Sequence, residues 1–102
     1  MNNDKLLSFL GLCRRAGKMT IGNDAVVYAI INGESQLILL VSDISARTEK
    51  TVTEVAQSNN ISIVKLTKDK EQVSKSLGKL TAVMSINDAG FAKKIIQLTA
   101  ND

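Results

Sequence analysis

Apolar positions recur along this chain with two alternating periods. Leu6, Leu7, Phe9, Leu10 and Cys13 fall at helical spacing behind Asp4, whose carboxylate suits an N-cap. Gly17 can end that helix in the left-handed conformation. Residues 18–21 form a short strand candidate. Gly22-Asn23-Asp24 then reads as the start of a second helix, with Val26, Val27, Ala29 and Ile30 as its apolar content and Gly33 as its stop. Residues 37–41, Leu-Ile-Leu-Leu-Val, are an unbroken apolar run, as expected of a strand covered on both faces. A polar turn at 43–45 can cap a third helix reaching Gln57, with Val52, Val55 and Ala56 inward and Asn59-Asn60 at its end. Residues 61–66 are rich in β-branched side chains and predict another strand. A short helix from about Asp69 to Leu77 stops at Gly78, and residues 80–86 predict the last strand. Asn87 caps a final helix that turns Phe91, Ala92, Ile95 and Ile96 inward and Lys93 and Lys94 to solvent.

This alternation predicts an α/β sandwich, one four-stranded mixed sheet with helices on both faces. With 102 residues, no linker, no internal repeat and no low-complexity tract, the expectation is a single domain over residues 1–102. The chain has no proline, so its turns rest on Gly, Asn, Asp and Ser. No apolar run approaches bilayer length, and Met1-Asn2-Asn3-Asp4 lacks the charged start of a secretory signal. Cys13 is the only cysteine, which excludes an internal disulfide and suits a reducing compartment. A cytoplasmic location without a membrane partner is expected.

Candidate catalytic chemistry is thin. There is no histidine, so the commonest general base and metal ligand is missing and Cys13 has no Cys-His partner. Cys13 lies on the apolar stripe of the first helix and reads as a core residue. The ten acids are scattered rather than clustered as metal ligands, and Gly11 and Gly17 lack the spacing of a phosphate-cradling loop. The expectation is a protein that is not an enzyme, with no metal, cofactor or small-molecule substrate. A net charge of +3 and a pI near 9.2 lean towards a polyanionic partner. Arg14, Arg15 and Lys18 cluster without an intervening acid, and Lys65, Lys68, Lys70, Lys75 and Lys79 form a second concentration. The helix start at 22–24 offers backbone N–H groups and a positive dipole end to phosphate. Arg14 and Arg15 can serve that purpose or simply complement the C-terminal dipole of their own helix. Phe9, Tyr28 and Phe91 are the only aromatics, too few for a stacking sheet surface; Tyr28 can face the core or the site.

Five blocks, in this order and spacing, resemble one family. They are Leu10-Gly11-Leu12-Cys13-Arg14-Arg15-Ala16-Gly17-Lys18; Gly22; Leu37-Ile38-Leu39-Leu40-Val41-Ser42-Asp43; Leu77-Gly78-Lys79; and Asn87-Asp88-Ala89-Gly90-Phe91-Ala92-Lys93-Lys94. The chain resembles the kink-turn-binding ribosomal protein family of the L7Ae and L30e type, most of all its bacterial YlxQ-like branch. The resemblance implies a three-layer α/β/α sandwich that binds structured RNA, often a kink-turn, and has no enzymatic activity. It puts the RNA against the junction of the first strand and second helix, between two flanking loops. The family's Gly-x-Asn-Glu there accepts hydrogen bonds from guanines of sheared G·A pairs, with a Lys one helical turn later.

A gapless alignment sets Gly22 on the motif glycine, Asp24 on the Asn, Ala25 on the Glu and Tyr28 on the Lys. A one-residue slip would set Asn23-Asp24 over Asn-Glu instead. Asp43-Ile44-Ser45 would flank the same surface, and the family's apolar loop before the last strand is reduced to Lys79-Leu80-Thr81. The resemblance thus implies a non-catalytic binder of rRNA or another kink-turn-like RNA, associated with the ribosome. Arg14, Arg15 and Lys18 would meet phosphates, Gly22, Asn23 and Asp24 would meet bases, and Lys79 and Leu80 would border the site. The replaced motif residues leave a second reading, a protein-interaction module that kept the fold without specific RNA recognition.

Overall fold

Nine elements alternate along residues 4–100, the part of the chain described by the computed structural model. In order they are α1 (Lys5–Arg15), β1 (Met19–Ile21), α2 (Asn23–Ile31), β2 (Leu37–Leu40), α3 (Ala46–Ser58), β3 (Ile63–Lys65), α4 (Lys70–Leu77), β4 (Val83–Ile86) and α5 (Ala89–Ala100). The strands form one sheet in the order β1-β4-β2-β3. β2 and β3 run parallel, and β4 runs antiparallel to both β1 and β2. The sheet is therefore mixed, as expected.

The central strands are apolar on both faces because both faces are covered. Leu37 and Leu39 on β2, with Met84 and Ile86 on β4, pack under Leu6, Leu10 and Cys13 of α1, Val73 and Leu77 of α4, and Ala92 and Ile95 of α5. The alternate residues Ile38, Leu40 and Val83 face Val26 and Ile30 of α2 and Val52 and Ala56 of α3. That period-two division produces three layers, α/β/α. The polar side chains inside are partnered. Ser85 donates its hydroxyl to Asn87 Oδ1 at 2.7 Å and lies 2.8 Å from Ser35 Oγ, while the Asn87 amide donates to Thr20 Oγ1 at 2.8 Å.

Several local expectations are corrected. The last strand starts at Val83 rather than at residue 80, because residues 78–82 are held as a loop by hydroxyl bonds described below. β3 is only three residues long, since it is an edge strand paired with β2 alone. Asn87 does not cap the final helix: the Phe91 N–H donates to Asp88 Oδ2 at 2.9 Å, and Asn87 is drawn instead to Thr20 and Ser85. Ile96 does not point inward; it is 47% exposed. It stands about 100° round the helix from buried Ile95, outside the narrow stripe that α1 and β4 cover. No described helix is long and apolar enough to cross a membrane.

One end of the sheet gathers four connections. The Gly22 N–H donates to Val83 O at 3.1 Å, the Val41 N–H to Ala82 O at 3.1 Å, and the Ser42 N–H to Lys68 O at 2.8 Å. The exits of β1, β2 and β3 thus lie side by side with the entry of β4.

Candidate nucleic-acid interface

Gly22 makes the turn from β1 into α2 with φ 107° and ψ 149°, a backbone state that L side chains rarely adopt. A Cβ there would touch nothing, so the requirement for glycine is conformational rather than spatial. No side chain caps α2, and Asn23 and Asp24 stand exposed in its first turn. Across from them lies the first turn of α3, capped by Ser45, whose Oγ accepts from the Thr48 N–H at 3.2 Å. Asn23, Asp24 and Val27 line one wall of the cleft between the two helices; Arg47, Thr48 and Thr51 line the other.

Arg47 is the functional candidate that sequence reasoning missed. A cation in the first turn of a helix opposes the dipole, so its placement has no local stabilising reason. A basic residue directly behind a Ser N-cap was the available signal. Glu49, the acid in that turn, is engaged by Lys65 at 3.2 Å.

Loop 78–82 forms the other flank. Ser74 Oγ accepts from the Thr81 N–H at 2.8 Å, and the Thr81 hydroxyl donates to Lys79 O at 2.7 Å. Gly78 closes α4 in the left-handed conformation at φ 72°. The loop leaves Leu80 75% exposed, on a groove shared with Asp43, Lys70 and Lys75. Asp43 also tethers α4 by accepting from the Lys70 N–H at 2.8 Å. Gly22, Asn23, Asp24, Lys79 and Leu80 therefore belong to one end of the sheet, joined through the Gly22–Val83 bond.

The basic cluster does not join them as a unit. Arg14 donates from Nη1 to Leu77 O at 2.7 Å, serving an orphan carbonyl at the end of α4 rather than its own helix. Arg15 lies over Gly11, its Nη1 3.3 Å from where a Cβ would stand, in a groove shared with Ser76. Lys18 precedes β1 while Gly22 follows it, which separates them by about 13 Å of extended strand. Within the second concentration, Lys68 is paired with Asp4 at 2.9 Å and Lys65 with Glu49. Tyr28 faces outward, 67% exposed.

Cys13 is fully buried, and its thiol donates to Lys18 O at 3.6 Å. Burial first, and the Asp88 carboxylate second, push its pKa up to about 11. A thiol held neutral in this way is a poor nucleophile. Among the described residues, no group of three or more His, Cys, Asp or Glu is placed to hold a metal ion.

Known proteins match this architecture over nearly its whole length. The YlxQ proteins described as RNA-binding in Bacillus subtilis (strain 168) and Enterococcus faecium are 33% and 30% identical to it. The first alignment covers 96% of this chain and 98% of its relative; the second covers 95% and 93%. A Bacillus halodurans C protein solved as one of unknown function superposes with a TM-score of 0.90 at 31% identity, over 96% of this chain and 99% of the other. A Giardia lamblia 15.5kD RNA binding protein shares the fold with a TM-score of 0.75 at 13% identity, over 99% and 90%. The model of the Ribosomal protein L7Ae/L30e/S12e/Gadd45 family matches residues 4–96, and the chain belongs to that family.

Proposed function

We propose that this protein is a non-catalytic binder of structured RNA, which it holds at the sheet end where the β1–α2 junction, the start of α3 and loop 78–82 converge. The observation that carries the reading is this convergence. The open first turn of α2, a cation at Arg47 and a braced loop with lysines beside it all lie at one end of the sheet. Phosphates suit the helix N-terminus and Arg47. Asn23 and Asp24 offer acceptors to base N–H groups. The names of the relatives point the same way. A kink-turn is the RNA that family membership favours, with Asp24 as acceptor for a guanine and Ala25 offering nothing in place of the family's Glu. We extend the reading to rRNA or a ribosome-bound RNA in the cytoplasm.

The test is a gel shift at physiological salt against a kink-turn and an unrelated hairpin. A shift that weakens steeply with salt, and stronger binding to the kink-turn, are expected. No shift with either RNA, together with a protein partner that survives nuclease and high salt, would replace this reading with the protein-interaction module.

A further inference from the structure

A lone exposed leucine is ordinary, but Leu12 of α1 does not stand alone. It is 46% exposed, although Leu6, Leu10 and Cys13 on the same helix are buried. With half-buried Phe9 and, from α5, half-buried Leu98, it lines an open groove of about 550 Å³ between the two helices. Lys5 and Lys94, both exposed, line the same groove, one from each helix. The spacing is regular. Lys5, Phe9 and Leu12 fall at i, i+4 and i+7, and Lys94 and Leu98 at i and i+4, so each helix gives one face to the groove. Among the described residues neither lysine meets a carboxylate, and Asp4, the acid that also lines the groove, is paired with Lys68 at 2.9 Å. The groove thus joins an apolar floor to two unmatched cations.

We infer that this groove is a docking site for an amphipathic helix of a partner protein, with apolar anchors against Phe9, Leu12 and Leu98 and acids opposite Lys5 and Lys94. The valley between two packed helices admits a third, held through anchors about one turn apart. Charge complementarity selects the acids, because a carboxylate arriving here meets a cation without displacing an existing ion pair. RNA suits the groove poorly. The backbone N–H groups of Phe9, Leu12 and Leu98 lie within helices, and the Phe9 ring packs on Phe91 at 5.2 Å rather than standing open to a base. A bilayer is flat where the groove is concave, and recognition of an anionic surface takes clusters of about 4–8 basic residues. Copies of this chain, each at +3, repel one another. The groove belongs to the layer of α1, α4 and α5, whereas the α2–α3 cleft belongs to the other, so an RNA and a helix can be held at once.

The probe is a designed peptide of about 18 residues, long enough to be helical, with leucines along one face and glutamates beside them. Its control carries lysines in place of the glutamates. In amide NMR spectra of the full chain, the acidic peptide should shift the signals of residues 5–12 and 94–98, and the lysine peptide should not. Leu12→Ser, at an exposed position, should keep the fold and weaken the acidic complex roughly three- to tenfold. Lys5→Glu with Lys94→Glu should reverse the preference, so that the lysine peptide binds and the acidic one does not. Absence of shifts at millimolar acidic peptide overturns the proposal, and so does a preference that survives the charge reversal. Equal binding by the parent and Leu12→Ser would remove the apolar floor from the contact and overturn it too. Displacement of the peptide by a kink-turn RNA would give the groove to the RNA surface, and a concentration-dependent dimer that Leu12→Ser abolishes would give it to a second copy. Either result replaces the partner helix.

Discussion

At Asp24 and Ala25, the proposed RNA reading turns on two side chains. In the gapless register they replace the family's Asn and Glu, so one acceptor survives and one is gone. Asp24→Asn with Ala25→Glu should raise the preference for a kink-turn over a control hairpin by roughly tenfold, since a bidentate base contact contributes about 1–3 kcal/mol of discrimination. Both positions are exposed, so the melting temperature should hardly move. A parent that already discriminates strongly, and a double mutant that loses the preference, would show that the register is shifted. Cys13 supports a separate expectation. Its thiol titrates near 11 in the fold and near 9.0 unfolded, so the unfolded chain releases a proton that the native state retains. Stability should be unaffected below pH 9 and fall between about pH 9 and 11, by at most ~3 kcal/mol. Cys13→Ser or Cys13→Ala should flatten that limb of the denaturation profile; an unchanged limb would assign it to other groups. Cys13 was legible as core because α1 has a clean apolar stripe. Tyr28 was not, because α2 is apolar all round from Ala25 onward and periodicity cannot say which arc a neighbour covers.

α4 shows what an element owes to its surroundings. At eight residues it is too short to persist alone. It is held by a capping box, in which Asp69 accepts from the Gln72 N–H at 2.8 Å and Gln72 Oε1 accepts from the Asp69 N–H at 2.9 Å. Its far end is closed by Gly78 and by Arg14 on the Leu77 carbonyl. Its start, its end and its glycine were readable from local chemistry. The Arg14 bond was not, because the partners are 63 positions apart. The same is true of the loop that follows. Leu-Thr-Ala-Val reads as a strand beginning, but the Ser74 hydroxyl on the Thr81 backbone N–H and the Thr81 hydroxyl on the Lys79 carbonyl hold it as a loop. Arg14→Ala should therefore cost about 1 kcal/mol, less than is usual for a bond to a charged donor because the residue is exposed and its bond only partly buried. It should also speed amide exchange at residues 78–82 while leaving β2 protected. Exchange unchanged in that loop would return Arg14 to the phosphate-binding role that its sequence neighbourhood suggests.

Across the whole molecule, the two ends of the sheet are chemically different, and sequence spacing conceals it. The sandwich was legible because helical and strand periods alternate cleanly. The order β1-β4-β2-β3 was not, since it depends on which crossovers pack best. Adjacency suffered the same fate: Lys18 and Gly22 are near neighbours in sequence, yet β1 carries them to opposite ends of the sheet. Arg47, far away in sequence, faces Asn23 and Asp24 across the cleft. These positions imply different electrostatic roles for three cations. Replacing one phosphate-binding side chain by alanine should reduce the slope of log affinity against log salt by roughly 0.7–0.9. For an RNA seated at the Gly22 end, Arg47→Ala should lower the slope by one such step. Lys18→Ala should leave it unchanged, and Arg15→Ala should do likewise, because that side chain lies over Gly11 in the groove beside α4. Binding isotherms of the four proteins over a series of salt concentrations decide it. Slopes that fall with Lys18→Ala and Arg15→Ala but not with Arg47→Ala would move the RNA to the far end of β1 and remove Asn23 and Asp24 from the interface.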